Sequence, residues 1–144
     1  MKKQKTKVVV ITGGSSGISL ATVKRFTSKG HVVYELSRSG KSFDDVKHIF
    51  CDVTQEGTVK SAIDQVITEQ GHIDVLINNA GFGISGPIEF TNLEDAKKQF
   101  DVNFFGSLNV VKAAVPYMRK EQKGRIVFVS SVAAIFSIPF QSFY

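Results

Sequence analysis

A glycine-rich turn directly follows the first apolar run of the chain. The run spans residues 8–11, and the sequence TGGSSGIS occupies positions 12–19 after it. Glycine can adopt positive φ and lets a ligand approach the backbone, while the free N–H groups at the start of a following helix attract anions. We therefore expect a diphosphate here, and a flexible strand-to-helix turn is the alternative. The candidate binding residues are Thr12, Gly13, Ser15, Ser16, Gly17 and Ile18.

A hydroxyl and a guanidinium follow the second β-branched run, at Ser37 and Arg38. In dinucleotide sites the end of the second strand faces the adenosine ribose, where a carboxylate binds the hydroxyls of NAD. A guanidinium there can instead bind a 2′-phosphate, and the Ser hydroxyl can add a hydrogen bond. This pattern favours NADP(H) over NAD(H), and an Arg in a surface loop is the alternative. Glu35 is expected on the same face as Ser37 but too far back to reach the ribose.

The elements that must position these residues alternate along the chain. Short apolar runs with β-branched residues predict strands, and longer segments with apolar residues at helical spacing predict helices. Continuous apolar strands alternating with helices predict an α/β fold, with a doubly wound parallel sheet covered on both faces. Strands are expected at residues 8–11, 31–36, 47–51, 73–77 and 126–129, and helices at 17–29, from Thr54 to Gly71, and from 91 to about 122.

Local signals refine the helices. Thr54 is expected to cap the second helix, and Thr91 with Glu94 forms a capping box for the third. A break in the third helical segment is expected near Asp101 to Asn103. Its buried stripe is predicted to consist of Leu108, Val111, Val115 and Met118.

The glycine-rich turn resembles the T-G-x-x-x-G-x-G loop of the short-chain dehydrogenase/reductase family, with Ser19 in place of the last glycine. The Ser side chain is expected to crowd the approach of the diphosphate. Four further segments match the family in the same order, and Tyr144 follows Ser131 at the family's separation of thirteen residues. Those segments are CDVT at 51–54, NNAG at 78–81, Val102-Asn103 with Gly106, and Ser130-Ser131 followed by Tyr144. On these five motifs the chain is identified as a member of the family.

The resemblance implies a Rossmann-type sheet of about five strands in the order 3-2-1-4-5. It also implies a second set of cofactor contacts, in which Asp52 accepts a hydrogen bond from the adenine amino group. The other residues of this set are Val53, Asn79, Ala80 and Gly81. The implied reaction is hydride transfer between NADP(H) and a small-molecule carbonyl or alcohol.

The resemblance also assigns the catalytic roles. Tyr144 would exchange a proton with the substrate oxygen, Ser131 would hydrogen-bond that oxygen, and Asn103 would hold a water of the proton relay. The family's Lys, one helical turn after the Tyr, is absent because Tyr144 is the last residue. Residues 1–144 are therefore expected to form an incomplete Rossmann domain, a truncated and poorly active part of a longer reductase that is a homo-oligomer at full length. A non-catalytic nucleotide-binding or interaction protein with this fold is the alternative.

Composition excludes other classes. The net charge of +5 comes without a basic stripe interleaved with aromatic residues, so no nucleic-acid partner is expected. No apolar run approaches the roughly 18 residues of a membrane span. A lone cysteine, Cys51, and the lack of a secretory signal indicate a cytoplasmic protein. His31, His48 and His72 lack metal-ligand spacing, so surface or strand-edge roles are expected and no metal site.

Overall fold

The strands and helices alternate as expected in the computed structural model, which describes residues 5–42 and 45–144. The loop between the second and third strands is therefore described on both sides of residues 43–44. The elements are β1 (Val8–Thr12), α1 (Gly17–Thr27), β2 (Val32–Ser37), β3 (Val46–Phe50), α2 (Glu56–Gln70), β4 (Val75–Asn78), α3 (Leu93–Phe100), α4 (Ser107–Lys120) and β5 (Arg125–Phe128). A π-helical turn, Asp101–Gly106, joins α3 to α4, and short 3₁₀ turns lie at Ile88–Phe90 and Val132–Ala134.

The five strands form one parallel sheet in the order β3-β2-β1-β4-β5. This confirms the predicted doubly wound sheet and its strand order. The central strand β1 is buried along its whole length, because helices cover both faces. Since β1 pairs with β2 on one side and with β4 on the other, the strand order reverses at its carboxyl end. A crevice at such a reversal is the usual ligand site of open α/β sheets.

The core consists of two layers, one on each face of the sheet. The layer beneath α1 contains apolar residues of β1, β2 and β4 together with Val23. The opposite layer is larger, because α2 and α4 both pack on that face. Gly71 ends α2 in a left-handed conformation with φ of 78°, as expected for a helix C-terminus.

The capping predictions for α2 and α3 were wrong by one residue each. Gln55 occupies the N-cap position of α2, because Thr54 instead directs its N–H and hydroxyl to the carboxylate of Asp52. At α3 the cap is Asn92, whose side-chain oxygen accepts a hydrogen bond from Glu94 N at 2.8 Å. The Thr91 hydroxyl donates to the carbonyl of Pro87, just before the preceding 3₁₀ turn, at 3.0 Å. Polar side chains of several types compete for each cap, and the path of the preceding loop decides which one reaches it.

The buried face of α4 also differs from the predicted stripe. Val110, Ala114 and Met118 are the buried residues, whereas Leu108 is 39% exposed. The predicted residues Val111 and Val115 are only half-buried. Apolar side chains occur on more than one face of this helix, so spacing alone did not select the face that meets the sheet and α2. In the part of the chain that the structure describes, no helix combines the length and the apolar character needed to cross a membrane.

Candidate active site

The glycine-rich turn connects β1 to α1 at the carboxyl edge of the sheet. Gly13 has a φ of 68°, and a methyl group on it would lie 3.0 Å from the Cα of Ala80. Gly17 has a φ of 55° and open space around its Cβ position. Because α1 begins at Gly17 and Ser16 makes no side-chain cap, the first N–H groups of this helix have no partner within it. Ser15, Ser16, Gly17 and Ile18 are all exposed at this opening.

Thr12 ties the turn to the loop that follows β4. Its hydroxyl oxygen accepts hydrogen bonds from the backbone N–H groups of Asn79 and Ala80, each at 3.0 Å. The carboxyl ends of β1 and β4 are thereby held together at the crevice. A β-branched hydroxyl suits this position, because it fits a fully buried strand end and still offers an acceptor.

Ser19 lies in the first turn of α1 with its side chain enclosed by protein. The residue is 1% exposed, and its hydroxyl has no hydrogen-bond partner among the described residues. The structure therefore places the side chain in the interior instead of the crevice, where it was expected to crowd the diphosphate.

Asp52 follows β3 with one carboxylate oxygen engaged locally. Its Oδ1 accepts hydrogen bonds from Thr54 N at 3.0 Å and from Thr54 Oγ1 at 2.8 Å. Its Oδ2 accepts no hydrogen bond from the described residues, so the fixed carboxylate retains a free acceptor. Val53 is buried under the π-helical turn, where a methyl group on Gly106 would lie 2.6 Å from its Cγ2.

Ser37 ends β2 and Arg38 follows it, at the neighbouring position along the same edge. The Ser37 hydroxyl donates to Glu35 Oε2 at 3.1 Å and accepts a hydrogen bond from Gly40 N at 3.0 Å. The Arg38 side chain is exposed. Glu35 shares a face with Ser37 as predicted, but it is buried and contacts His48 on β3. The sequence predicted a surface or strand-edge position for His48 and no contact between His48 and Glu35.

The predicted break between α3 and α4 is the π-helical turn that carries Asn103. Asn103 Oδ1 accepts a hydrogen bond from Phe82 N at 3.0 Å, and its Nδ2 donates to Phe82 O at 2.8 Å. The turn thus fixes the loop after β4 by a double hydrogen bond. π-helical turns occur frequently at functional sites, since the extra residue redirects a side chain.

Gln99 is a second anchor of the same loop, and sequence reasoning missed it. This residue is 1% exposed and accepts a hydrogen bond from Ile84 N at 2.7 Å. Its side-chain N–H donates to the carbonyl of Phe143. Gln99 therefore connects the loop after β4 to the segment that ends at Tyr144. A polar residue on the buried face of α3 was the available signal.

The remaining catalytic candidates lie beside these loops. Ser131 follows β5, and its Oγ accepts a hydrogen bond from Ala133 N at 3.2 Å. The Tyr144 ring packs on Gly83, where a methyl group would lie 3.2 Å from Cδ2 of the ring. Asn103 and Tyr144 are thus brought to adjacent residues of one loop, Phe82 and Gly83.

Cys51 does not belong to the reactive groups of this edge. It is 2% exposed, and burial raises the pKa of its thiol to about 11. The thiol is therefore protonated at neutral pH, as expected of a buried structural cysteine.

A parallel sheet with a glycine-rich turn at its reversal point defines a nucleotide-binding α/β protein of the Rossmann type. The sequence profile described as short chain dehydrogenase matches residues 7–144. The chain therefore belongs to the short-chain dehydrogenase/reductase family.

Individual relatives agree with this assignment. A Bacteroides thetaiotaomicron protein named 3-ketodihydrosphingosine reductase is 42% identical over 96% of this chain and 52% of its own length. The ligand-free aldohexose dehydrogenase of Thermoplasma acidophilum superposes with a TM-score of 0.92 at 39% identity, covering 97% of this chain and 55% of that one. The structure of ElxO with NADP bound gives a TM-score of 0.90 at 30% identity, covering 97% of this chain and 61% of the ElxO chain. The chain spans about half the length of the curated relatives that it matches.

Proposed function

We propose that the protein is an oxidoreductase that uses NADP(H) to interconvert a carbonyl and an alcohol, and that residues 1–144 supply its nucleotide-binding part. One observation carries this proposal. The open N–H groups of α1 and the loop that contacts Asn103 and Tyr144 lie at the carboxyl edge where the strand order reverses, and the free carboxylate oxygen of Asp52 lies along the same edge after β3. Membership of the family supports the same reaction class.

The residues present fit a dinucleotide. The close packing of Gly13 on Ala80 and the open space at Gly17 leave the start of α1 accessible to a diphosphate. Asp52 Oδ2 is an acceptor suited to the adenine amino group. Arg38 would bind the 2′-phosphate, and the NADP-bound structure of the related ElxO supports this preference. Asn79 and Gly81, beside Ala80, would line the cofactor.

The cofactor would supply the hydride in reduction and accept it in oxidation, so this chain's own residues must handle the proton and the substrate oxygen. Tyr144 would give or take the proton. Ser131 Oγ accepts the N–H of Ala133, which leaves its own proton to donate to the substrate oxygen. Asn103 retains one side-chain N–H and one lone pair for a water, although Phe82 uses the others.

The substrate class follows from the side chains near Tyr144. Phe82 is 43% exposed on the loop after β4, and Phe140 is 63% exposed, with its carbonyl oxygen accepting a hydrogen bond from Gly86 N. Two exposed aromatic residues, one next to Gly83 and one four positions before Tyr144, favour a carbonyl compound with an apolar portion. The name of the Bacteroides relative, a 3-ketodihydrosphingosine reductase, agrees with such a substrate.

Nucleotide titration tests the proposal. The 144-residue chain is titrated with NADPH and with NADH by nucleotide fluorescence and calorimetry, and NADPH is expected to bind more tightly. Arg38→Ala should weaken NADPH binding roughly tenfold, since it removes a charge-assisted contact, and should change NADH binding little. Arg25→Ala is the matched control, because Arg25 is equally exposed but lies in the last turn of α1. Tighter binding of NADH contradicts the Arg38 assignment, and binding of neither nucleotide contradicts the function.

A further inference from the structure

A buried carboxylate lies beneath the loop that carries Arg38. Glu35 is 1% exposed on β2, yet its neighbours in that strand are apolar. A buried carboxylate is costly unless it is paired and hydrogen-bonded. Glu35 Oε2 has two partners, His48 Nδ1 at 2.6 Å and Ser37 Oγ at 3.1 Å, while its Oε1 has none among the described residues. A group of this cost at the edge of a crevice calls for an explanation.

His48 reaches Glu35 from the adjacent edge strand. The parallel register of β2 and β3 places the two residues opposite each other. At 2.6 Å the two atoms share a hydrogen bond, and the imidazole tautomer that carries its proton on Nδ1 would donate it to the carboxylate. The backbone N–H of His48 also donates to Ser42 Oγ at 3.1 Å, which tethers the far end of the loop after β2.

Two glycines of the cofactor-binding loops rest on this pair. A methyl group on Gly14, in the phosphate-binding turn, would lie 2.5 Å from Cγ of Glu35. A methyl group on Gly40 would lie 2.6 Å from Nδ1 of His48 and 2.7 Å from Oγ of Ser37. The Glu35 side chain therefore packs against both the diphosphate turn and the loop that faces the adenosine ribose.

The hydrogen bonds of Ser37 connect the Glu35 carboxylate to the turn that contains Arg38. A hydroxyl has one proton, and Ser37 gives it to Glu35 while accepting the N–H of Gly40. Ser37 therefore has no proton left for a 2′-phosphate in this arrangement. Its role is to close the turn from 37 to 40, with Arg38 inside that turn. The carboxylate thus fixes the backbone from which the guanidinium extends.

We propose that Glu35 and His48 are positioning residues that hold the Ser37–Gly40 turn through hydrogen bonds and thereby set the preference for a 2′-phosphorylated dinucleotide. This inference rests on the proposed function, since it concerns the same adenosine-ribose subsite. The pair contacts no reacting atom. It acts through the Ser37 hydroxyl and through the packing of Gly14 and Gly40.

The test compares two substitutions of similar size at one position. Glu35→Leu keeps the volume and removes every hydrogen bond, whereas Glu35→Gln keeps one amide oxygen that can accept from both Ser37 Oγ and His48 Nδ1, as Oε2 of Glu35 does. The ratio of the Kd for NADH to the Kd for NADPH is measured for the full 144-residue chain. We expect the ratio to fall about fivefold to tenfold in Glu35→Leu and to stay within about twofold of wild type in Glu35→Gln. Asp74→Asn is the control, because it removes another buried carboxylate that contacts a His, at the opposite edge of the sheet.

A second variant keeps the proposal falsifiable if Glu35→Leu does not fold. Ser37→Ala removes the tether to Gly40 and should lower the same ratio on its own. In combination with Glu35→Leu it should add little, because both residues act through one tether. Additive losses would mean that Ser37 contacts the phosphate independently and would overturn the inference. An unchanged ratio in Glu35→Leu or in Ser37→Ala would also overturn it, whereas failure of the wild-type chain to bind either nucleotide contradicts the proposed function instead.

Discussion

The two edges of the parallel sheet treat their buried polar groups differently. At the amino edge, Asp74 accepts hydrogen bonds from Val8 N at 2.9 Å and from Lys123, and His72 lies 3.2 Å away. Near the carboxyl edge, Glu35 Oε1, the Ser19 hydroxyl and the Asn78 side-chain amide are buried without partners among the described residues. Satisfied polar groups stabilise a fold, whereas unsatisfied ones cost free energy and are tolerated where function requires them.

The contrast teaches which edge is organised for stability and which for binding. Asp74 connects the start of β1 to the segment before β5, so its contacts cross the centre of the sheet. The groups at the carboxyl edge instead surround the glycine-rich turn and the ends of β2 and β4. Substitutions at the amino edge should therefore change stability alone, and those at the carboxyl edge should change nucleotide binding as well.

The largest expected effect comes from comparing two glycines that have similar φ values but lie at opposite edges of the sheet. The comparison asks whether the same substitution costs more stability and nucleotide affinity at the carboxyl edge. Gly13→Ala should cost about 3 kcal/mol of unfolding free energy and abolish measurable nucleotide binding, because a positive φ and contact with Ala80 both oppose a side chain. Gly30→Ala is the matched control at the amino edge. Gly30 has a φ of 75° but open space around its Cβ position, so about 1 kcal/mol is expected and nucleotide affinity should not change. Equal losses in urea unfolding for the two variants would contradict this account.

A smaller effect is expected from the clamp at Thr12. Thr12→Val keeps the shape but leaves the N–H groups of Asn79 and Ala80 without their acceptor, at a cost of about 2 kcal/mol. Nucleotide affinity should fall together with stability, since both loops of the crevice lose their connection. Thr12→Ser retains the acceptor and should recover most of both. Chemical denaturation and NADPH titration measure the two effects, and a Val variant that binds normally would show that the clamp is not needed for the site.

The smallest effect concerns the amino edge and depends on pH. Burial opposes ionisation of Asp74, but hydrogen bonds from Lys123 and from Val8 N outweigh it and hold the pKa of this carboxyl below its ordinary value. The contribution of the Asp74 carboxylate to the free energy of unfolding is therefore complete above its unfolded pKa of about 4. It is lost as the pH falls through the lower, folded pKa. Asp74→Asn should lower stability by about 1 kcal/mol at pH 7 and flatten the acid dependence of stability below about pH 4.

Unfolding curves measured at several pH values, together with NADPH titration at pH 7, check this prediction. Nucleotide affinity should be unchanged in Asp74→Asn. A loss of affinity comparable to that of the carboxyl-edge variants would remove the distinction between the edges.

Much of the framework followed from local sequence signals. The strand order implied by the family resemblance is confirmed, and the break predicted near Asp101 to Asn103 coincides with the π-helical turn. The turn at Gly13 and Gly17 also has the positive φ that its glycines suggested. The conformation of the turn depends on residues that are close together in the sequence, whereas the strand order was implied by the resemblance to the family.

The features that were missed depend on contacts between distant residues. Glu35 and His48 are thirteen residues apart and meet only because β2 and β3 pair in a particular register. Gln99 contacts Phe143 across 44 positions of the chain. The buried face of α4 was wrong for a related reason, since Leu108 and Val110 are equally apolar and only the packing against α2 distinguishes them. No periodic pattern contains that information.

The π-helical turn has a consequence for how the protein tolerates changes in chain length. Asp101–Gly106 contains one residue more than regular winding would need, and the aromatic side chains of Phe104 and Phe105 in it are about half exposed. Exposure would suggest a permissive site for an insertion or a deletion. Yet the removal of a single residue would let the turn wind as a regular α-helix, and residues within it would then rotate by up to about 100° around the helix axis. Asn103 would then lose its hydrogen bonds to Phe82. The number of residues in this turn is therefore constrained more strictly than the types of its exposed side chains.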